Sequence, residues 1–257
     1  MNSTPKITLA CSLLGAFGLA STGANLAAQD AAPADMKPPE KPKDAWNVTL
    51  SLGVSVTTGN SDTQLYTADA LGVKKWNQNE LSLHAFGSYG ESEGDQNVGN
   101  AGFTAQFNRL FTDRWYGFGR FEAYENSIAD IDYRFTLAAG AGYYFIKTEK
   151  TSLAGEVGPG YVWQKLGGVT DDFFTIRFAE TFEHKFSKTA RIWQGVEYLP
   201  QVEDFGNYIL NAVLGVEAGL YGNLKLQVKA LDTYQSRPAA GREKNDLQVT
   251  AGLAYTF

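Results

Sequence analysis

The sequence predicts an all-β fold: an antiparallel transmembrane β-barrel of about twelve strands. Three observations carry that expectation. The last eleven residues place apolar side chains at every second position, Leu247, Val249, Ala251, Leu253, Tyr255 and Phe257. Small or polar residues fill the places between, which is the period of a strand with two different faces. An alternating strand ending on an aromatic is what the closing strand of a barrel presents at the membrane boundary. Second, strand-like runs broken by turn clusters continue from Trp46 to the end. Third, only 19% of residues are charged while 13% are aromatic and 27 are glycine, a mixture suited to many strands and tight turns.

Composition excludes some alternatives. After residue 30 no stretch reaches the ~18 consecutive apolar residues that a spanning helix needs. A barrel escapes such a search, because half of each strand faces a polar interior. The net charge of −6 argues against nucleic acid as a partner. The single cysteine, Cys11, permits no internal disulfide.

Taken in order, residues 1–28 read as a signal peptide. Lys6 begins a positive region, Ile7 to Ala20 form an apolar core, and Leu26-Ala27-Ala28 offers a cleavage site before Gln29. A lipoprotein signal at Cys11 would want Leu where Thr8 stands. Residues 29–45, rich in Ala, Pro and Lys, cannot build a core and read as an extended periplasmic arm. The barrel is expected over 46–257. Its candidate strands are 46–57, 63–76, 80–91, 97–111, 114–127, 132–146, 151–165, 172–186, 190–202, 207–221, 223–235 and 245–257. A soluble sandwich would alternate too, but needs neither so many strands nor such long ones.

The alternation separates an outward from an inward face. In 132–146, Tyr133, Phe135, Leu137, Ala139, Ala141, Tyr143 and Phe145 face outward, and Arg134 and Thr136 face inward. In 207–221, Leu210, Leu214 and Val216 oppose Asn211 and Glu217. Short turns such as Asn77-Gln78-Asn79 alternate along the chain with longer, often acidic loops such as 91–96, 167–172 and 237–245. Antiparallel strands put the two sets at opposite ends, so both termini are expected in the periplasm.

Several motifs carry a family resemblance. Thr58-Gly59-Asn60-Ser61-Asp62-Thr63 follows the first strand. Tyr124-Glu125-Asn126, Asp130-Ile131-Asp132-Tyr133-Arg134, Gly140-Ala141-Gly142-Tyr143 and Glu156-Val157-Gly158-Pro159-Gly160-Tyr161 follow in order. With these, Trp46 to Phe257 resembles the family of salt-induced outer-membrane proteins, also known as domain-of-unknown-function family 481. The resemblance implies a barrel in the outer membrane of a Gram-negative bacterium and implies little about activity. One residue breaks the pattern: Glu180 falls on the outward phase of Phe174, Ile176, Phe178 and Phe182, which calls for a bulge or a shifted phase.

Signs of chemistry are few. The two histidines, His84 and His184, lie in no recognisable motif, and no catalytic role or cofactor is expected. Gly140-Ala-Gly142 and Gly158-Pro-Gly160 sit inside strands without a following helix, so they are not nucleotide loops. Such inward glycines make room for bulky neighbours. The acidic stretches at Glu91, Glu93 and Asp95, and at Asp171 and Asp172, lack the spacing that a calcium site of six or more oxygens requires.

Inward charges are the more informative set. Arg120, Glu122, Arg134, Glu156, Arg177, Glu197, Glu217, Lys225 and Lys229 all fall on interior phases. They can pair across the lumen and plug it, or line a water-filled path. Three readings stay open: a narrow channel or salt-related envelope barrel, a plugged structural barrel whose outer loops bind lipopolysaccharide or a partner, and a lipid-modifying enzyme built on His84. The expected partners are membrane lipid, lipopolysaccharide and the barrel-assembly machinery, met through the last strand, with the protein itself a monomer.

Overall fold

Long runs with a two-residue period can satisfy their backbones in a membrane only by pairing with each other and leaving no edge. The chain does this. The computed structural model describes residues 44–57 and 63–257. The expected signal peptide, almost all of the arm and the Gly59-Asn60-Ser61-Asp62 motif therefore lie outside the described residues.

Twelve strands follow in order: β1 (Trp46–Thr57), β2 (Thr63–Trp76), β3 (Asn79–Ser92), β4 (Asp95–Leu110), β5 (Trp115–Asn126), β6 (Ile131–Lys147), β7 (Thr151–Leu166), β8 (Val169–Lys185), β9 (Ala190–Gln201), β10 (Asp204–Tyr221), β11 (Leu224–Gln235) and β12 (Asn245–Thr256). Each pairs antiparallel with the next, and β12 returns to β1 to close the barrel. The closing ladder runs from Thr49↔Thr256 to Leu52↔Leu253 and is the shortest of the twelve. The Phe257 amide donates to the Val48 carbonyl at 2.8 Å, and the Thr49 and Thr256 hydroxyls meet at 3.1 Å.

The outward face is apolar. Leu247, Val249, Leu253, Tyr255 and Phe257 are exposed, as are Leu50, Leu52, Phe135, Leu137, Val157 and Phe178. Exposed apolar area on this scale marks a surface that meets lipid rather than water. Aromatics gather at both ends of the wall. Trp115 meets Tyr143 at a tilt with ring centres 4.8 Å apart, and Tyr255 meets Phe257 edge to face at 4.8 Å, at the end that carries the termini; Tyr161 meets Phe174 at 4.6 Å at the other.

The end opposite the termini differs from the long acidic loops expected there. Glu93-Gly94 and Gly167-Gly168 are two-residue hairpins with all four residues at positive φ. That geometry matches strand twist and suits glycine best. The strands simply run on: Val169 to Asp172 pair with Leu166 to Trp163. Among the described residues one long connection remains at that end, residues 236–244.

Glycines inside the wall admit neighbouring rings. A Cβ on Gly142 would lie 2.2 Å from the Tyr116 ring, and one on Gly215 would lie 2.1 Å from Trp193. Gly140 and Gly158 face each other across β6 and β7, where Pro159 supplies no ladder hydrogen. A Cβ on Gly158 would sit 2.0 Å from the Ala139 carbonyl oxygen. Backbone cannot yield there cheaply. Gly158→Val is expected to cost at least about 1–3 kcal/mol and to lower the temperature at which the barrel loses its heat-modifiable gel migration. Gly119→Ala, where nothing lies within 4 Å, is expected to leave that temperature unchanged.

Candidate functional site

The barrel interior brings most of the inward charges into contact, and it does so across strands far apart in sequence. Arg177 of β8 is the centre. Its Nη1 donates to Glu156 Oε2 of β7 at 2.6 Å, and its Nε donates to Glu197 Oε1 of β9. The guanidinium also lies over the Phe118 ring at 5.2 Å. Arg120 of β5 pairs with Glu122 at 2.7 Å and approaches Glu197 at 3.5 Å. Neutral groups complete the set. The Tyr116 hydroxyl and the Gln106 amide both donate to Glu156 Oε1, at 2.9 and 2.8 Å, and Asn211 Nδ2 donates to Glu197 Oε2 at 3.2 Å. This waist spans β4 to β10.

Arg134 stands apart from the carboxylates. Its Nε donates to Gln164 at 2.9 Å and its Nη2 to Gln235 on β11 at 2.6 Å, so it too reaches across the barrel. Arg134 and Arg177 are each only 4% exposed. Counting both with Arg120, three arginines face three glutamates, so the buried formal charge cancels, as buried charge must.

The remaining charges form two further groups. Glu217 accepts from Lys225 Nζ at 2.6 Å and from Arg191 Nη2 at 3.2 Å, and Arg191 Nη1 also donates to Glu183 at 2.7 Å. Lys229 of β11 meets Asp69 of β2 at 2.8 Å, and the same Asp69 oxygen bonds His84 Nε2 at 2.7 Å. Beside this pair lies a cavity of about 20 Å³, room for about one water. Asp69, Glu183, Arg191, Gln106 and Tyr116 were not singled out from the sequence. The interior phase was their available signal: Glu183 shares the phase of Arg177, and Arg191 that of Glu197.

The connection 236–244 lies against neighbouring turns at the same end. Arg237 pairs with Asp204 at 2.5 Å, Ser236 Oγ accepts from the Tyr208 amide at 2.7 Å, and Arg242 grips Asp130 through Nε and Nη2 at 2.7 and 2.9 Å. Ala239 is buried, within 3.1 Å of where a Cβ on Gly167 would stand. The acidic positions are dispersed. Asp172 accepts from the Tyr161 hydroxyl and Glu91 from that of Tyr89. Among the described residues no group of three or more His, Cys, Asp or Glu is arranged to hold a metal ion. His184 lies by a turn, with Nδ1 2.8 Å from Thr151 Oγ1.

A closed twelve-strand wall with an apolar outside and a charged inside defines an outer-membrane β-barrel protein. The chain belongs to the family described as protein of unknown function, DUF481, whose model matches residues 50–257. Among solved structures it is similar to the NanC porin, with a TM-score of 0.50 and 9% identity over 83% of this chain and 100% of that one. An outer-membrane channel of Pseudomonas putida F1 gives 0.49 and 11% over 89% and 100%. The translocator domain of the autotransporter NalP from Neisseria meningitidis gives 0.44 and 13% over 84% and 89%. At such identities the likeness concerns the fold alone. No curated protein matches the sequence.

Two outcomes follow from this geometry. Arg177→Met leaves Glu156 and Glu197 buried without their shared cation. It is expected to destabilise the barrel by about 3–5 kcal/mol, read as a lower denaturant midpoint in refolding titrations. The Arg242 guanidinium holds the Asp130 carboxyl below its ordinary value of 3.8. A depressed folded-state value means the tie is complete above the unfolded value and is lost as pH falls through the folded one. Protection of the 236–244 amides, taken relative to their intrinsic exchange rates, is expected to hold down to roughly pH 4 and to fall below it. Asp130→Asn should lower that protection modestly above roughly pH 4 and remove its pH dependence.

Proposed function

We propose that this protein works in the outer membrane as a closed barrel whose lumen is plugged by its own ion pairs, and that it acts through its surfaces. The observation that carries this reading is Arg177, 4% exposed and held between Glu156 and Glu197 from the two flanking strands. A path for ions would need water around those charges, and twelve strands leave far less room than an open porin. The even strand count places both termini on one side, which we assign to the periplasm. The 236–244 connection then faces outward, available to lipopolysaccharide or a partner, and the last strand is the element presented to the assembly machinery. The protein acts as a monomer.

A narrow, gated channel is the second reading. The small cavity beside Asp69 and Lys229, with His84 half-buried next to it, favours that side as its path. An enzymatic role would need a nucleophile set against His84, and the hydrogen-bond partner His84 has here is Asp69.

Planar-bilayer recording of the refolded barrel tests the two. The plugged barrel is expected to be silent from about 0.1 to 1 M salt, since buried pairs are poorly screened. The triple variant Glu156→Ala, Arg177→Ala, Glu197→Ala should then show discrete steps. Steps from the wild type, with ion selectivity altered by Glu156→Ala, would replace this reading with the channel.

A further inference from the structure

Glu180 is a carboxylate on the lipid face. Its ladders, Gly155↔Glu180 and Glu180↔Val196, sit in unbroken register with both neighbouring strands. The bulge or shifted phase expected there is absent, and Glu180 stays on the outward phase. Ionisable groups on a membrane-facing wall are costly, and one that persists marks a site by default. Its partner is equally unusual: Gln194, on the outward phase of β9, donates through Nε2 to Glu180 Oε2 at 3.0 Å.

The wall is shaped around this pair. A groove of about 450 Å³ opens beside Glu180. Trp115, Tyr143 and Phe145 form one side, with ring separations of 4.8 and 5.3 Å, and Phe178 with Tyr198 forms the other at 6.3 Å. The register between β6 and β7 shifts between Tyr144 and Ile146, so Phe145 is the extra residue of a bulge. Bulges re-aim side chains. This one lays the Phe145 ring over Gly155, where a Cβ would lie 2.9 Å from it. Arg114, in the turn before β5, reaches the rim with Nη1 3.4 Å from the Tyr143 hydroxyl.

An acceptor pair inside an aromatic groove, with a guanidinium at its rim, complements a molecule with a hydrogen-bonding cation, a nearby anion and long apolar tails. We propose that the groove binds an aminophospholipid of the leaflet on the side of the termini. Its primary ammonium sits on Glu180 and the Gln194 side-chain oxygen, its phosphate faces Arg114, and its acyl chains lie between the aromatic walls. Leaflet assignment rests on the orientation proposed above; the site itself does not depend on whether the lumen conducts.

Native mass spectrometry of the full barrel in mild detergent tests this, with phosphatidylethanolamine and phosphatidylcholine of identical chains offered together. A choline headgroup carries the same charge but no N–H donor. Preferential retention of phosphatidylethanolamine is expected. Glu180→Gln should reduce that retention roughly tenfold, the scale of one charge-assisted hydrogen bond, while heat-modifiable migration stays normal. Arg114→Ala should weaken retention of both lipids. Equal retention of the two lipids by the wild type would overturn the proposal, as would retention unchanged in Glu180→Gln. A dimer that Glu180→Gln dissociates would overturn it too, since a second copy would then cover the groove.

Discussion

Hydrocarbon offers no hydrogen bonds to a backbone, and that constraint governs this molecule. Each strand must give its amides and carbonyls to neighbours on both sides. A row of strands meets that demand only when the last reaches the first. The seam between β1 and β12 therefore matters beyond its short length, from Thr49↔Thr256 to Leu52↔Leu253. Closure also sets the division of faces: once the wall is continuous, every second side chain must meet lipid and every other one the lumen.

The lumen inherits a difficulty from that closure. Twelve strands enclose a narrow space, and strands with polar inner faces bring their charges into it. Satisfying them takes partners from other strands, some flanking and some across the ring. Arg134 reaches Gln235, Lys229 reaches Asp69, and Arg177 is shared by Glu156 and Glu197. Buried pairs of this kind stabilise little by themselves, yet losing one partner is costly. They act as registration pins that penalise any misaligned closure. Gly142 and Gly215 serve the same packing by leaving space for Tyr116 and Trp193.

The outer wall and the far end depart from a uniform barrel in two places. Glu180 and Gln194 put a polar pair where lipid is expected, and a bulge at Phe145 builds a groove next to it. At the end away from the termini, strand ladders extend to two-residue hairpins at Glu93-Gly94 and Gly167-Gly168, so the 236–244 connection has rigid neighbours to hold. Its ties to Asp130 and Asp204 are exposed pairs, worth little each in water. Together they position the loop without locking it.

The sequence by itself determined the strand count, the antiparallel order and the two faces of the wall, because a period of two is a local property that each segment carries alone. It put Glu180 on the outward phase but called for a bulge or a shifted phase there, and the unbroken register of β8 with both neighbours shows neither. The long acidic loops were misjudged for a local reason as well: Val169 to Asp172 look like loop by composition, while Gly167-Gly168 can turn the chain in two residues. Only the tertiary structure decided which charges meet. Arg177 and Glu156 are 21 positions apart, but Lys229 and Asp69 are 160 apart. Closure and the stagger of the strands bring such residues together, and both are properties of the whole ring that no single strand encodes.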